Sequence, residues 1–572
     1  MEKINKLKKE FIQLGLDGYF IPKNDEFFGE YINASKDYLQ YISNFSGSLG
    51  YALIMKKKNF LFVDGRYTTQ AKIQSGKFFN IINIPHKYPV DILKKNYSIG
   101  FDPQLHTQQF LKHFFKKANI KLIPINENLV NKIWNNNNDS TRKNYFYSLT
   151  KKETGQNFTD KIKENYKFLS KKNIDIQFIT ASENIAWLLN IRGHDSEYSP
   201  IPNSRLILDS KKNVYLFCNL KKINKKFINE LKKIKILDIN ILDLFLDNIK
   251  DKKILIDQRT CSIYFENIFK KNNNIIEFDD PIYLMKSIKN KIEIMNMKKS
   301  HIYDGVALTK FLIWIKKNYK NKKITEIDAQ NKLLSFRKMN KYFKTSSFPT
   351  ISGTGPNSAV IHYKANKKTN RTLLDGDIYL VDSGGQYKFG TTDVTRTISL
   401  NNNNSKIKDI FTRVLKGHIG VSNFRLNNNT TGSMIDVVAR KYLKEIKLDY
   451  PHGTGHGVGY YLNVHEGLQG ISSNNKVKFR EGMIVSNEPG YYKEGKFGIR
   501  IENMIVVEKK KTSYKFNNLT MVPIDKSLIN KKLLKKKEIS WINNYHSKIY
   551  KNLNKFMKKS ELVDFKDYCS NI

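Results

Sequence analysis

Cysteine is nearly absent from this chain of 572 residues: Cys218, Cys261 and Cys569 lie far apart and in no paired spacing. That excludes a disulfide framework and a cysteine metal site, and it favours the reducing cytoplasm. No apolar run approaches the ~18 residues that a membrane span needs; Phe311 to Ile315 is typical of the longest. The start, Met1 to Glu10, is too charged for the apolar stretch of a signal peptide. A soluble, untargeted protein with no membrane partner is expected. Familiar nucleophile motifs are missing as well, with neither a Gly-x-Ser-x-Gly elbow nor a Walker lysine loop.

Acidic residues are in deficit, since 53 Asp+Glu face 99 Lys+Arg for a net charge of +46. Such a charge would ordinarily raise nucleic acid or an anionic membrane as a partner. Its distribution argues otherwise. The basic residues are overwhelmingly Lys, occur in every region and travel with Asn and Ile in tracts such as Lys56-Lys57-Lys58-Asn59 and Asn401 to Asn404. Arg, the better reader of phosphates and bases, is scarce. We read the charge as compositional drift at solvated positions and expect no specific nucleic-acid partner.

What is present in quantity is core material: 40% hydrophobic residues, with 35 Phe and 31 Tyr spread along the length. The length itself argues for roughly three or four domains. Residues 1 to about 130 alternate helical patterns with strand-like runs such as Ala52-Leu53-Ile54-Met55 and Phe60-Leu61-Phe62-Val63, an α/β rhythm. A second α/β rhythm follows from about 150 to 289, after a linker predicted at Asn135 to Asp139. A long helix is predicted from near Lys291 through Ile315. Beyond Pro349 the texture changes to Gly-rich turns between short strands, and charged residues enter positions that the alternation assigns to a buried face.

In Ile378-Tyr379-Leu380-Val381-Asp382 the period of two puts Asp382 on the face of Ile378 and Leu380. The return segment, Thr391 to Ile398, brings Asp393 to hairpin distance. A second pair follows the same plan: Glu488 ends the strand that begins at Ile484, while Arg500 and Glu502 share one face of the next. Isolated buried carboxylates cost several kcal/mol, whereas four that converge on divalent cations become favourable, so these pairs read as metal ligands. Between them lies His452-Gly453-Thr454-Gly455-His456-Gly457-Val458-Gly459, followed by His465; His362 stands upstream. Four glycines in those eight residues forbid a zincin-type helix and favour extended backbone. Any one of these histidines alone would be read as structural. Four carboxylates with one imidazole form a hard ligand set that suits Mn²⁺ and can hold Co²⁺, Fe²⁺ or Zn²⁺. Two such ions ~3.5–4 Å apart can share one water, lower its pKa and stabilise the oxyanion formed on a carbonyl, which is a hydrolase design.

The order Asp382, Asp393, His456, Glu488, Glu502 resembles that of the pita-bread metallopeptidases. Local wording is similar to the long, cytosolic-type aminopeptidase P: Val381-Asp382-Ser383-Gly384, Thr392 to Thr397, His452 to Gly457, Val464-His465-Glu466 and Asn487 to Tyr492. The likeness extends to Phe45 to Gly50, Asp64 to Tyr67, Ile185 to Gly193 and Trp541 to His546. The resemblance implies two creatinase-like α/β domains (1–134 and 140–289), a pita-bread catalytic domain (290–520) and a C-terminal helical extension (521–572). It implies a cytoplasmic Xaa-Pro aminopeptidase that uses a hydroxide bridging two divalent cations, and a homodimer with the N-terminal domains closing over the cleft. Asp382 would hold one ion, Asp393 and Glu502 both, and His456 and Glu488 the other, with Glu488 also the general base. His362 and His465 would hold substrate and stabilise the tetrahedral intermediate, and His452 would line the pocket beside the proline. Arg500, on the face of Glu502, either orients that carboxylate or forms a surface salt bridge. The rivals are a prolidase, restricted to Xaa-Pro dipeptides, and an inactive relative acting as a binding module.

Overall fold

The continuous apolar runs of the first half form strands whose two faces are both buried. Strands β1 (Gly18–Pro22), β2 (Tyr51–Met55), β3 (Asn59–Asp64), β4 (Asn80–Ile84), β5 (Tyr97–Phe101) and β6 (Ile120–Pro124) make one sheet in the order β4-β3-β2-β1-β5-β6. Tyr19, Ile21, Ala52, Ile54, Leu61 and Val63 enter one core, and the intervening Phe20, Leu53, Met55, Phe60 and Phe62 enter another. A sheet covered on both faces loses the polar half of the alternation, which is why these strands read as unbroken apolar runs.

This computed structural model describes residues 1–93, 96–134, 144–510 and 513–572, and the chain divides into the units Met1–Tyr283 and Leu284–Ile572. The linker predicted at Asn135 to Asp139 lies outside the described residues. The first unit holds a second six-stranded sheet: β7 (Ile176–Ile179), β8 (Ser204–Asp209), β9 (Val214–Cys218), β10 (Lys235–Asp238), β11 (Lys253–Ile256) and β12 (Asn274–Glu277). Its order, β10-β9-β8-β7-β11-β12, repeats that of the first sheet strand for strand. The directions repeat too. The first three strands of each sheet pair antiparallel, and the fourth, fifth and sixth join parallel.

In the second unit the long helix α1 (Lys291–Asn318) begins where the Asn290 side chain accepts from the N–H groups of Ile292 and Glu293, while Glu293 returns a bond to the Asn290 N–H. Helices α2 (Glu326–Lys338), α3 (Ser405–Ser422), α4 (Gly432–Lys444), α5 (Lys536–Leu553) and α6 (Lys559–Tyr568) follow. A three-stranded sheet, β13 (Ile351–Thr354), β14 (Ile378–Ser383) and β15 (Val394–Ser399), is antiparallel throughout. A six-stranded sheet contains β16 (Arg425–Leu426), β17 (Gly455–Gly457), β18 (Glu466–Ile471), β19 (Ile484–Asn487), β22 (Asn503–Lys510) and β23 (Ser513–Asn518), in the order β16-β23-β22-β19-β17-β18. The hairpin β20 (Gly490–Lys493) and β21 (Phe497–Arg500) lies between β19 and β22 in sequence. No helix among the described residues is long and apolar enough to cross a membrane.

His106 shows how the first unit stores pH sensitivity. Its ring is fully buried beside Phe20 and Phe101, at 5.2 and 5.5 Å between centroids. Nδ1 lies 2.9 Å from the Asp102 carbonyl oxygen, which can only accept, so Nδ1 carries the proton. Burial pushes this imidazole down to about 4, whereas an unfolded histidine titrates near ~6.5. The native state therefore holds His106 neutral, and the stability this contributes is complete above ~6.5 and lost as pH falls towards 4, a change of about 3 kcal/mol. His106→Gln is expected to flatten the pH dependence of denaturant unfolding between 6.5 and 4. An unchanged slope would contradict the assignment.

Candidate metal centre

Two antiparallel pairings bring the four predicted carboxylates together. Asp382, on β14, pairs with Thr395 of β15, and Asp393 stands just ahead of that strand. Asn487 of β19 pairs with Asn503 of β22, so Glu488 and Glu502 sit one residue beyond the pair. The Glu502 N–H donates to the Thr395 carbonyl and the Glu488 N–H to that of Thr454, which ties the two sheets and the histidine loop at the ligand positions. The Gly-rich segment is extended, as expected, and His456 lies in β17. A side chain at Gly455 could not fit there: its Cβ would lie 2.0 Å from the Ser486 carbonyl oxygen.

Asp393, His456 and Glu502 each offer a ligand atom within 4.8 Å of the others. His456 Nε2 is 3.4 Å from Asp393 Oδ2 and 3.6 Å from Glu488 Oε1. Its Nδ1 lies 3.0 Å from the Gly457 carbonyl oxygen and so takes the proton there, which leaves the Nε2 lone pair aimed at two carboxylates. Lone pair against carboxylate is repulsive unless a cation stands between. In the protein without metal a proton takes that place: burial opposes the charge, but the Asp393 hydrogen bond and the nearby Glu488 raise His456 to about 9. The carboxylates carry the same mark. Burial pushes Asp382 up to about 7 against the pull of Arg500, with repulsion from Asp393 and Glu488 added. Burial, then repulsion from Asp393, Glu488 and Asp382, drives Glu502 well above the carboxylate range, and Glu488 is also raised. Asp382 Oδ1 and Asp393 Oδ1 are buried without a hydrogen-bond partner. Surplus negative charge, unfilled oxygens and an aimed imidazole together fit divalent cations.

Arg500 differs from both expected alternatives. It is 1% exposed, which removes the surface salt bridge, and its Nη2 donates to Asp382 Oδ2 at 2.7 Å rather than to Glu502. It reaches Glu502 only through the Thr395 hydroxyl, which receives from Arg500 Nε at 3.1 Å and donates to Glu502 Oε2 at 2.8 Å. The face shared by Arg500 and Glu502 within one strand suggested the wrong partner because the cross-sheet neighbour is closer. Sequence reasoning also missed Tyr492. Its hydroxyl receives from Arg500 Nη1 at 2.6 Å and lies 2.9 Å from His452 Nε2. A line of contacts thus runs from His452 through Tyr492 and Arg500 to Asp382; the motif Asn487 to Tyr492 contained the missing member.

Of the other predicted histidines, His362 is half-buried and His465 lies at the surface. His465 is exposed, its ring 4.2 Å from that of His456, and its neighbour Glu466 is buried in contact with Lys289 and 3.8 Å from Lys286, which anchors the segment. His362 follows Ile361, whose carbonyl oxygen receives from Arg500 Nη2 at 3.3 Å. The loop before it is held by Glu326, which is fully buried and accepts from the Thr354 N–H, Asn357 Nδ2, the Tyr363 hydroxyl and the Arg371 N–H.

Residues 295–509 match metallopeptidase family M24, and 512–570 match the C-terminal region of peptidase M24. Residues 3–133 and 137–293 each match the creatinase/prolidase N-terminal domain, in keeping with the repeated sheet. Xaa-Pro aminopeptidase 1 of Dictyostelium discoideum is 36% identical across 98% of this chain and 94% of its own. A probable Xaa-Pro aminopeptidase P of Laccaria bicolor is 36% identical across 97% and 91%. The solved X-prolyl aminopeptidase of Caenorhabditis elegans, described as a cytosolic enzyme with a di-nuclear active site, superposes with a TM-score of 0.93 at 30% identity, covering 100% of this chain and 99% of that one. The expected architecture, two creatinase-type domains ahead of a pita-bread domain, is borne out.

The Arg500–Asp382 pair allows a direct check. Arg500→Met keeps the volume but leaves a buried carboxylate without its cation, and the loss of one partner from such a pair costs ~3–5 kcal/mol. Denaturant unfolding of the metal-free variant should lose stability on that scale. Wild-type stability would show that the pair does not hold Asp382.

Proposed function

The chain belongs to metallopeptidase family M24, among its Xaa-Pro aminopeptidases, and from that premise we propose that it removes the first residue from peptides whose second residue is proline. Such bonds need a dedicated enzyme because the Xaa-Pro amide lacks an N–H and fixes φ, which defeats sites built to grip an ordinary extended backbone. The observation that carries the proposal is the meeting of Asp393, His456 and Glu502 within ligand distance of one another, with Glu488 3.6 Å from His456 and Asp382 repelled by Asp393 and Glu488.

Asp382, Asp393, His456, Glu488 and Glu502 would hold two divalent ions, Mn²⁺ before Co²⁺, Fe²⁺ or Zn²⁺ because oxygen donors dominate. Bound there, the ions would acidify the water they share, supply it as a bridging hydroxide and polarise the scissile carbonyl. The protein's own residues do the rest. Glu488, with a side chain 19% exposed at the edge of the cluster, accepts the water's proton. His362 and His465 donate to the oxygen that gains charge in the tetrahedral intermediate. His452, oriented by Tyr492, lines the pocket for the proline ring. Arg500 directs Asp382 inward and offsets part of the cost of its charge.

We assign residues 1–134 and 140–289 to the two N-terminal domains, 290–520 to the catalytic domain and 521–572 to the extension. A cytoplasmic homodimer that acts on peptides follows from the same likeness, with the relative described as cytosolic in support.

An assay of Ala-Pro against Ala-Pro-Ala in Mn²⁺ tests the reading. Release of Ala from the tripeptide is expected, with activity abolished by a chelator and restored by Mn²⁺. Glu488→Gln should lower turnover by ~10²–10⁴. Cleavage of the dipeptide alone would make the protein a prolidase, and full activity under chelation would refute the metal reading.

A further inference from the structure

Two stretches that resemble the family have no part in the chemistry so far: Arg396, and Trp541 to His546 near the end of the chain. In the structure they meet. Arg396 is 1% exposed, and its guanidinium donates only to uncharged acceptors. Nη1 binds the carbonyl oxygens of Thr395 at 2.7 Å and Glu502 at 2.6 Å. Nη2 binds Asn503 Oδ1, the Val522 carbonyl and the Tyr545 hydroxyl at 2.7–2.9 Å, and Nε binds the Pro523 carbonyl at 3.0 Å. One side chain therefore ties the strand after Asp393 to the residue Glu502 itself, and both to helix α5.

A second link starts from the same helix. Trp541 stacks on Tyr545, with centroids 5.2 Å apart, and meets the His418 ring edge-on at 5.9 Å. His418 Nδ1 lies 3.0 Å from the Asn487 carbonyl oxygen, and Asn487 Nδ2 returns a bond to the His418 carbonyl. Asn487 precedes Glu488. Helix α5 is itself fixed, since Ile542, Ile549 and Leu553 are fully buried with Phe411, Val414 and Leu415 of α3. The segment that leads to it crosses α1 at Gly305, where a Cβ would come within 2.4 Å of the Met521 carbonyl oxygen.

We propose that the C-terminal extension is a positioning element of the metal centre: Tyr545 acting through Arg396, and Trp541 acting through His418 and Asn487, hold Asp393, Glu502 and Glu488 at the separation that two cations require. Buried guanidinium hydrogen bonds to main-chain carbonyls are geometrically strict, so they fix strand spacing more firmly than apolar contact does. The inference rests on the reading of these carboxylates as metal ligands.

The test is calorimetric titration of Mn²⁺ into the metal-stripped full chain. Tyr545→Phe removes one oxygen and keeps the stacked ring; Tyr550→Phe, on the same helix, is the control. Tyr545→Phe should lower Mn²⁺ affinity ~10- to 100-fold, the usual cost of losing a partner that orients a ligand. Excess Mn²⁺ should restore its kcat, with KM unchanged. Tyr550→Phe should bind as wild type. If Tyr545→Phe does not fold, Arg396→Lys, which keeps the charge but not the fork, must show the same loss. Wild-type Mn²⁺ affinity in the variant, or equal losses in both tyrosine variants, would overturn the inference. A wild-type protein that binds no Mn²⁺ would instead sink the metal-centre reading beneath it.

Discussion

Four buried carboxylates that face one another cannot all be ionised without a cation among them, and much of the second unit is arranged around that constraint. Burial and mutual repulsion hold Asp382, Glu488 and Glu502 above their ordinary range. Arg500, a permanent cation, sits behind Asp382 and spends its charge there. His456 carries a proton on Nε2 while no ion is bound and offers the lone pair there to an ion that displaces it, since its Nδ1 proton is committed to Gly457. The remaining excess of negative charge is what divalent ions would neutralise, and the coupling of ion binding to proton release follows from it. A scaffold that stores such repulsion has to be stiff. That stiffness comes from antiparallel pairing on both sides of the centre, from Gly455 against Ser486, and from Arg396 across the strand ends.

That these carboxylates would meet was legible because strand periodicity and hairpin distance are local. Asp382 and Asp393 lie within one hairpin, as do Glu488 and Glu502 around β20 and β21, so alternation was enough to place them. The glycines around His456 excluded a helix, and its choice over His362, His452 and His465 rested on the family resemblance. Partners were not legible where the contact crosses sheets. Arg500 was assigned to Glu502 on the evidence of a shared face, yet its bond goes to Asp382, 118 residues away in sequence. Tyr492 and Glu326 stayed hidden for the same reason. The likeness of the two N-terminal halves was legible as a shared α/β rhythm and through the family resemblance, whereas the repeated strand order and direction were not.

The line of contacts from His452 through Tyr492 and Arg500 to Asp382 gives the site a further property. His452, proposed to line the substrate pocket, is joined by two hydrogen bonds and an ion pair to Asp382 of the carboxylate cluster. The orientations of His452 and Asp382 are therefore not independent, and substitutions at Tyr492 fall on both.

The central claim is that Asp382, Asp393, His456, Glu488 and Glu502 together hold two divalent cations. Anomalous diffraction at the manganese edge from crystals grown with Mn²⁺ tests it most directly. The account predicts two peaks, both among these five side chains. A single peak, peaks elsewhere, or none under saturating Mn²⁺ would contradict it.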